Sequence, residues 1–455
     1  MTNLTFYGGV NEIGGNKILL EDKKAKIFLD FGQSFTFGED YFYDFLAPRT
    51  ANGLEVYFEF GMMPKVPKIY SKAMLERADL KYETPDIDAV FISHSHSDHV
   101  NHLSFLDESI PVYMGHGTHK LLETYHTLYP QFNNLGEHTN LNLFKSGDKI
   151  KVKHLVIEPI HVEHSVPGAY GFIIHTSKGP LIYTGDLRMH GPQSDMTKEF
   201  VEKSAACKPY AMLLEGTRMG PEGSGKSHNV TEAEVEKEVE QKIKASRGLV
   251  FAYFAMSNVD RFMSFYRATV KNGRKLVIDT RHAYVIDKLM EKIPTLPDVM
   301  EDGNILIYYR MAKSCTYCEK DYFNYERKFM PKMITCKEVA KSQKEFVMHM
   351  SFAKLMELVY IQPKDADYIY SSSEHFLEGE ENEEEKRVLD NWMRHFGVAF
   401  HKAHCSGHAS RQDLEEMVKQ INPNVLIPIH TQNAEDFKGL HPNVKIPEKE
   451  KRMEL

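Results

Sequence analysis

The chain has 455 residues, beyond the size at which one hydrophobic core stops growing, so two domains are expected. Its 42% hydrophobic and 26% charged residues are ordinary for a soluble globular protein, and no apolar run approaches the ~18 residues of a membrane span. A net charge of −8 argues against a uniformly basic nucleic-acid scaffold while leaving room for a locally positive groove. The opening MTNLTFYGGV lacks the basic start and apolar stretch of a signal peptide, and five cysteines give no disulfide framework. Both features predict a reducing cytoplasm. Twenty-three histidines point toward metal chemistry.

Taken in chain order, the first half reads as short apolar strands, each ending in an acidic residue or a histidine at a turn. They are residues 26–32 (KIFLDFG), 88–96 (DAVFISHSH), 153–165 (KHLVIEPIHVEHS), 179–186 (GPLIYTGD) and 210–217 (YAMLLEGT). Ligands converging at strand ends, outside a buried sheet, are the usual layout of an α/β active site. Residues 40–85 read as an inserted loop and helix excursion. Around residue 218 the texture changes, and Thr231 with Glu234 forms a capping-box signature opening a charged helix, TEAEVEKEVEQKIKAS. A buried strand at 248–254, an amphipathic helix NVDRFMSFYRATV and a strand at 275–280 then alternate as in a βαβ unit with a parallel sheet. Further strands follow at 304–309 and 366–373, the acidic run 374–386 reads as a solvated face, and strand-end histidines return after residue 402. The expectation is an α/β protein whose first domain (1–217 and 402–455) is interrupted by a second (218–401).

The strongest chemical signal is His94-Ser95-His96-Ser97-Asp98-His99, directly after the strand DAVFI. Alternate residues of an extended segment point the same way, so His94 and His96 can share one ion. Asp98 and His99, at the turn that follows, can reach a second. Imidazoles with a carboxylate suit zinc, with manganese as the harder alternative. Further ligands stand at strand ends: His164, with His161 competing for the role, Asp186 and His430. A bridging Asp186 would hold two ions about 3.5–4 Å apart. Taken singly, each of these residues reads as an ordinary cap or a satisfied polar group; the set together argues otherwise.

HSHSDH, with Asp30 in FLDFG, His164 in EHSVPGA and Asp186 in YTGDLR, resembles motifs one to four of the metallo-β-lactamase fold. Glu215 in LLEGT, His408 in CSGHAS and His430 in PIHTQ resemble the three further motifs of the β-CASP nucleases. Within that group EIGGNK (12–17), HSVPGA and SGHAS look most like ribonuclease J, particularly its short archaeal form. The resemblance covers essentially the whole chain. It implies an αββα metallo-β-lactamase sandwich with an inserted β-CASP α/β domain, two Zn2+ per chain, a single-stranded RNA substrate and a homodimer. It also implies a form without the additional C-terminal domain of bacterial ribonuclease J and without an N-terminal RNA-binding extension. One departure stands out. The last motif of ribonuclease J usually reads His-Gly-Glu, whereas here it is His430-Thr431-Gln432, so the local turn is expected to differ.

The resemblance also assigns roles. His408 becomes the proton donor to the departing oxygen with Glu215 as its carboxylate partner, Asp98 belongs to the catalytic set, and Asp30 holds metal-ligating histidines in the right tautomer. A histidine, with an ordinary pKa near 6.5, is the natural donor. Independently, Ser406, Gly407, His408 and Ala409 stand just before a helix predicted from Leu414, Met417, Val418 and Ile421 at helical spacing. Amides at such a terminus favour a phosphate, and Ser371, Ser372 and Ser373 could add hydroxyls, with an ordinary capping turn as the alternative. By resemblance these two loops form a pocket for a 5′-monophosphate nucleotide. His401 and His404 read as structural, Cys405 and Cys207 as packing residues, and Cys315, Cys318 and Cys336 as reduced, buried thiols rather than a zinc knuckle. Trp392 and the aromatics of 321–329 read as core. Three function classes follow: a metal-dependent ribonuclease, 5′-to-3′ exonucleolytic with possible endonuclease activity; a dinuclear-zinc hydrolase of a small ester, lactone or thioester; and a non-catalytic RNA-processing scaffold.

Overall fold

The computed structural model describes residues 1–36, 38–42, 46–130, 135–136, 138, 140–220, 230–373, 377 and 382–455. Among them, residues 1–189, 193–220 and 408–455 form one compact unit, and residues 190–192 with 230–407 a second.

The first unit stacks two sheets. One runs in the order Arg452–Glu454, Thr2–Gly8, Lys17–Asp22, Ala25–Leu29, Ala89–Ile92, Val112–Gly115, Leu141–Phe144. The other runs Val425–Ile429, Ala211–Glu215, Gly179–Tyr183, Tyr170–Thr176, Leu155–His161, Ile150–Val152. Leu4, Ile18, Ile27 and Phe91 of the first sheet pack with Ile157, Phe172, Leu213 and Ile427 of the second in one buried cluster. Each such side chain stabilises the unit by roughly 1.5–3 kcal/mol on leaving water. Helices cover the outer faces. Leu122 of His116–Leu128 meets Phe28, Val90 and Val112, while Phe200 of Ser194–Ala206 and Met417 of Arg411–Ile421 meet Ile173, Ile182 and Leu426. This is the expected αββα sandwich.

In the first sheet Ala25–Leu29 pairs in parallel with Ala89–Ile92; in the second, Gly179–Tyr183, Ala211–Glu215 and Val425–Ile429 are parallel neighbours. Their carboxyl ends therefore lie along one edge of each sheet, where Asp30, the HSHSDH turn, Asp186, Glu215 and His430 follow. The hairpin of Thr2–Gly8 with Lys17–Asp22, and the closing strand Arg452–Glu454, carry no chemical residue and no strong pattern, and the sequence reading passes over them.

The second unit is a sheet of seven parallel strands, ordered Met333–Ile334, Ile305–Tyr308, Lys275–Asp279, Phe346–His349, Val250–Tyr253, Asp367–Tyr370, Ala399–Lys402. Its inner strands are near-continuous apolar runs because both faces of a parallel sheet are covered. The predicted capping box is present: Thr231 Oγ1 accepts from the Glu234 N–H at 3.2 Å, and the Glu234 carboxylate accepts from the Thr231 N–H at 2.8 Å. This unit continues past residue 401, where the sequence reading ended it, because Ala399–Lys402 is a full member of its sheet and the loop to Gly407 follows from it. Of the acidic run 374–386, residues 374–376 and 378–381 lie outside the described residues, and helix Glu383–Phe396 begins within its end.

Candidate metal centre

The first unit gathers the candidate ligands by backbone geometry that the sequence specifies locally. Asp30 leaves strand Ala25–Leu29 with φ of 56°, a left-handed conformation that aspartate tolerates better than most residues. The turn back is held there: the Ser93 N–H donates to Asp30 Oδ1 at 2.7 Å and the Ser93 hydroxyl to Oδ2 at 2.8 Å. The Tyr183 hydroxyl also donates to Asp30 Oδ2. His99 Nδ1 lies 2.7 Å from that same oxygen, so Asp30 accepts a hydrogen bond from Nδ1–H and leaves Nε2 available to a metal. Gly185 precedes Asp186 with φ of 54°, and a Cβ there would stand 2.9 Å from that of Ser93; only glycine lets the two turns approach.

Two groups of ligand atoms result. His94, His96, His164 and Asp186 form one, Asp98, His99, Asp186 and His430 the other, each with all its atoms within 4.8 Å. In the first, His94 Nε2 and His164 Nε2 lie 3.0 and 3.1 Å from His96 Nδ1. Imidazole nitrogens converge this closely when something positive sits between them. The edge of a tetrahedron with zinc–nitrogen bonds of ~2.0–2.1 Å is itself about 3.3 Å. In the second, His99 Nε2 is 3.2 Å from Asp186 Oδ2 and 3.3 Å from Asp98 Oδ2, and His430 Nε2 is 2.9 Å from Asp98 Oδ2. Asp186 Oδ2 belongs to both groups, 3.7 Å from His94 Nε2 and 3.6 Å from His430 Nε2. Its other oxygen, Oδ1, is buried without a hydrogen-bond partner.

Electrostatics agree with the geometry. Burial pushes His94 well below the ordinary imidazole range and His96 down to about 4, so both stay in the neutral, metal-ligating form. Burial would lower His99 too, but Asp186, Asp98 and Asp30 hold it well above that range. A position that retains a proton among three carboxylates is one that attracts a cation. Burial works against ionised Asp98 and Asp186, and the facing histidines keep both well below the usual carboxylate range. The donor set therefore fits divalent metal ions.

Beside these groups, His408 Nδ1 lies 3.2 Å from Glu215 Oε1, and its ring centroid is 5.0 Å from that of His164. Burial lowers the His408 pKa, but Glu215, with Asp186 and Asp98, raises it to about 9. Cations on Asp186 and Asp98 would cancel their share and pull the value back toward neutrality. Thr217, which the sequence reading missed, joins the two sites: its hydroxyl is 3.1 Å from His408 Nδ1 and 2.8 Å from His430 Nδ1. The only available signal was its place two residues after Glu215. His430 itself has φ of 52°, and the Thr431 hydroxyl accepts from the Asn433 N–H at 3.0 Å, which describes the local turn of the departing motif.

Other candidates fall outside these groups. The His161 ring lies tilted by 31° against Tyr170, with centroids 4.2 Å apart, and His401 Nε2 meets Asp367 Oδ1 at 2.7 Å. Among the described residues no potential metal group includes Cys315, Cys318 or Cys336; contrary to the expectation of buried thiols, Cys315 and Cys318 are exposed and Cys336 alone of the three is buried. Trp392 packs against the second unit's core, whereas Phe323 is 67% exposed. The amide expected to be free at Ala409 is not free, because it donates to Leu187 O at 2.7 Å. Ser371 is 2% exposed and its hydroxyl donates to Ala403 O, whereas Ser372 and Ser373 are half-buried.

Comparison with known proteins bears on this arrangement. The beta-lactamase superfamily domain matches residues 66–241, and the Zn-dependent metallo-hydrolase RNA specificity domain matches residues 399–438. The ribonuclease J of Mycoplasma genitalium is 24% identical over 444 residues, covering 94% of this chain and 68% of that protein. The ribonuclease J of Helicobacter pylori strain B128 is 24% identical over 438 residues (94% and 55%), and that of Thermus thermophilus 25% over 382 residues (79% and 61%). The chain thus spans between about half and two thirds of the length of these bacterial relatives. A solved structure of a protein of unknown function from Enterococcus faecalis V583 superposes over 100% of both chains, with TM-score 0.77 and 23% identity, a likeness of fold.

Proposed function

We propose that this chain, which matches the beta-lactamase superfamily domain and the RNA specificity domain of Zn-dependent metallo-hydrolases, is a metal-dependent ribonuclease acting in RNA processing or decay. The observation that carries this reading is the pair of ligand groups sharing Asp186 Oδ2, with the His408–Glu215 pair beside them. We assign two Zn2+ to the groups, with Mn2+ as a substitute: His94, His96, His164 and Asp186 would hold one, and Asp98, His99, His430 and Asp186 the other. Such ions, when bound, acidify water at neutral pH and withdraw charge from a phosphate oxygen. The chain's own residues do the rest. Glu215 accepts a hydrogen bond from His408 Nδ1–H and orients the ring, and its charge favours the imidazolium that can protonate the departing oxygen. Asp30 orients His99.

Single-stranded RNA is the substrate, degraded from its 5′ end with endonucleolytic cleavage as a second mode. In this reading Ser372, Ser373, Ser406 and Gly407, all of the second unit, take the terminal phosphate, with the buried Ser371 holding its loop in place. The resemblance to ribonuclease J carries the homodimer. Five cysteines, none of them in a disulfide, favour the cytoplasm, and among the described residues no helix is long and apolar enough to cross a membrane. Hydrolysis of a small ester is the weaker alternative, since it leaves the His408–Glu215 pair and the RNA specificity match without a purpose. A scaffold role is disfavoured by the intact ligand set.

The test is to incubate the full chain with 5′-labelled, 5′-monophosphorylated single-stranded RNA and zinc or manganese, beside a His408→Ala variant. Mononucleotide release that falls about 10²–10⁴-fold in the variant, at unchanged metal content, is expected. No RNA cleavage with any metal would sink the reading, and ester hydrolysis alone would favour the alternative.

A further inference from the structure

Arg261 is a charged side chain with 0% exposure, on helix Val259–Lys271 of the second unit, outside every candidate metal group. Its guanidinium meets Glu232 as a fork: Nε donates to Oε1 at 2.7 Å and Nη2 to Oε2 at 3.1 Å. Glu232, also buried, accepts further bonds from the Ser264 hydroxyl at 2.9 Å and the Cys405 thiol at 3.2 Å. The remaining guanidinium protons go to two loops. Nη1 reaches the Ser371 carbonyl at 2.9 Å, the Ser371 hydroxyl at 2.7 Å and His404 Nδ1 at 3.1 Å; Nη2 reaches the Cys405 sulfur at 3.2 Å and carbonyl at 3.4 Å. The Ser371 hydroxyl closes the ring on Ala403 O.

One guanidinium therefore fastens the end of strand Asp367–Tyr370 to the segment that leaves strand Ala399–Lys402. The next residues along the two loops are Ser372 and Ser373 on one side, Ser406 and Gly407 on the other. A buried ion pair is a poor source of net stability, because desolvation offsets most of the attraction. What the fork supplies is geometry: five donors in a fixed plane, a pattern a lysine cannot reproduce. As the acceptor of an Arg261 proton, His404 Nδ1 is unprotonated, which fixes that ring's tautomer as well.

We propose that Arg261, clamped by Glu232, is a positioning residue that sets the spacing of these two loops for the 5′-phosphate of the RNA. It acts through the loops and touches no substrate itself, being buried and already neutralised. The inference rests on the ribonuclease reading and deepens it.

The experiment measures kcat and KM of the full, metal-loaded chain on the same RNA bearing a 5′-monophosphate or a 5′-hydroxyl, for the wild type and Arg261→Lys. The expected result is a KM for the monophosphorylated RNA about tenfold higher or more, the loss of one or two charge-assisted hydrogen bonds. The preference for monophosphate over hydroxyl falls by the same factor, while kcat stays within about twofold and metal content is unchanged. Should the buried lysine prevent folding, Cys405→Ala, which spares the ion pair, is expected to weaken the preference about threefold. A folded variant that keeps the full preference, or loses rate equally on both RNAs, overturns the proposal. So does a wild type that cleaves RNA without regard to its 5′ end, a result that leaves the ribonuclease reading intact. A wild type that cleaves no RNA overturns both.

Discussion

Replacing Gly32 with alanine perturbs the metal centre through a single methyl group. Gly32 follows strand Ala25–Leu29 and donates its N–H to Asn16 O at 3.0 Å. A Cβ at this position would stand 1.8 Å from Asp98 O, 1.9 Å from Asp98 C and 2.2 Å from His99 N. Real Cβ contacts do not fall below 3.0 Å, so the two backbones would have to part by at least about 1.2 Å. The obstruction is the peptide joining two ligands of the second group, and backbone, unlike a flexible side chain, has nowhere to swing. Bonds of ~2.0–2.2 Å to a metal do not survive a ligand shift of that size, and a misplacement near 1 Å costs a reaction about 10²-fold. We expect Gly32→Ala to fall from two bound ions per chain to one, measured by metal analysis after dialysis, with RNA hydrolysis reduced about 10²-fold or more. Gly439→Ala, whose new Cβ meets nothing within 4 Å, is the control and should retain both ions and full rate. A Gly32→Ala protein with two ions and normal turnover would refute the close-approach argument.

Asp30→Asn should leave the backbone intact, because asparagine also tolerates the left-handed conformation seen at φ of 56°, while removing the charge that accepts the His99 proton. Metal affinity is expected to fall about 10–100-fold in a competition titration, and an unchanged affinity would contradict the role of Asp30. Asp22 controls acid stability away from the centre. Burial raises its pKa, but hydrogen bonds from Ser177, His154 and Thr2 outweigh this and hold it at about 2, below the ordinary 3.8. A depressed native value means the stabilisation is whole above pH 3.8 and is lost as pH falls toward 2. Asp22→Asn should melt earlier at neutral pH and flatten the acid limb of the Tm profile; a limb parallel to wild type would show that Asp22 does not contribute.

Much of the centre is legible without coordinates because its ligands are local. His94 and His96 share a face by strand periodicity, Asp98 and His99 lie on the turn that ends the strand, and Asp186, Glu215 and His430 close apolar runs. The His408–Glu215 pair required the resemblance, since nothing near residue 408 announces a carboxylate at residue 215; Leu187 links the two segments, donating its N–H to Glu215 Oε1 at 3.5 Å and accepting from the Ala409 N–H at 2.7 Å. Thr217, Ser93 and Tyr183 escaped notice because a lone hydroxyl carries no pattern, and its worth depends on what faces it.

The sequence by itself determined which residues are candidate ligands, because strand alternation and strand-end turns are properties of a few consecutive residues. It also determined the α/β character of both units, through buried apolar runs and capping boxes. Tertiary structure decided how those residues combine. It made Asp186 common to two groups, spent the Ala409 amide on Leu187, turned Ser371 inward onto Arg261 and carried the inserted unit past residue 401 to Gly407. Each of these is a contact between segments far apart in the chain, decided by sheet order and burial, and no short stretch of sequence contains both partners.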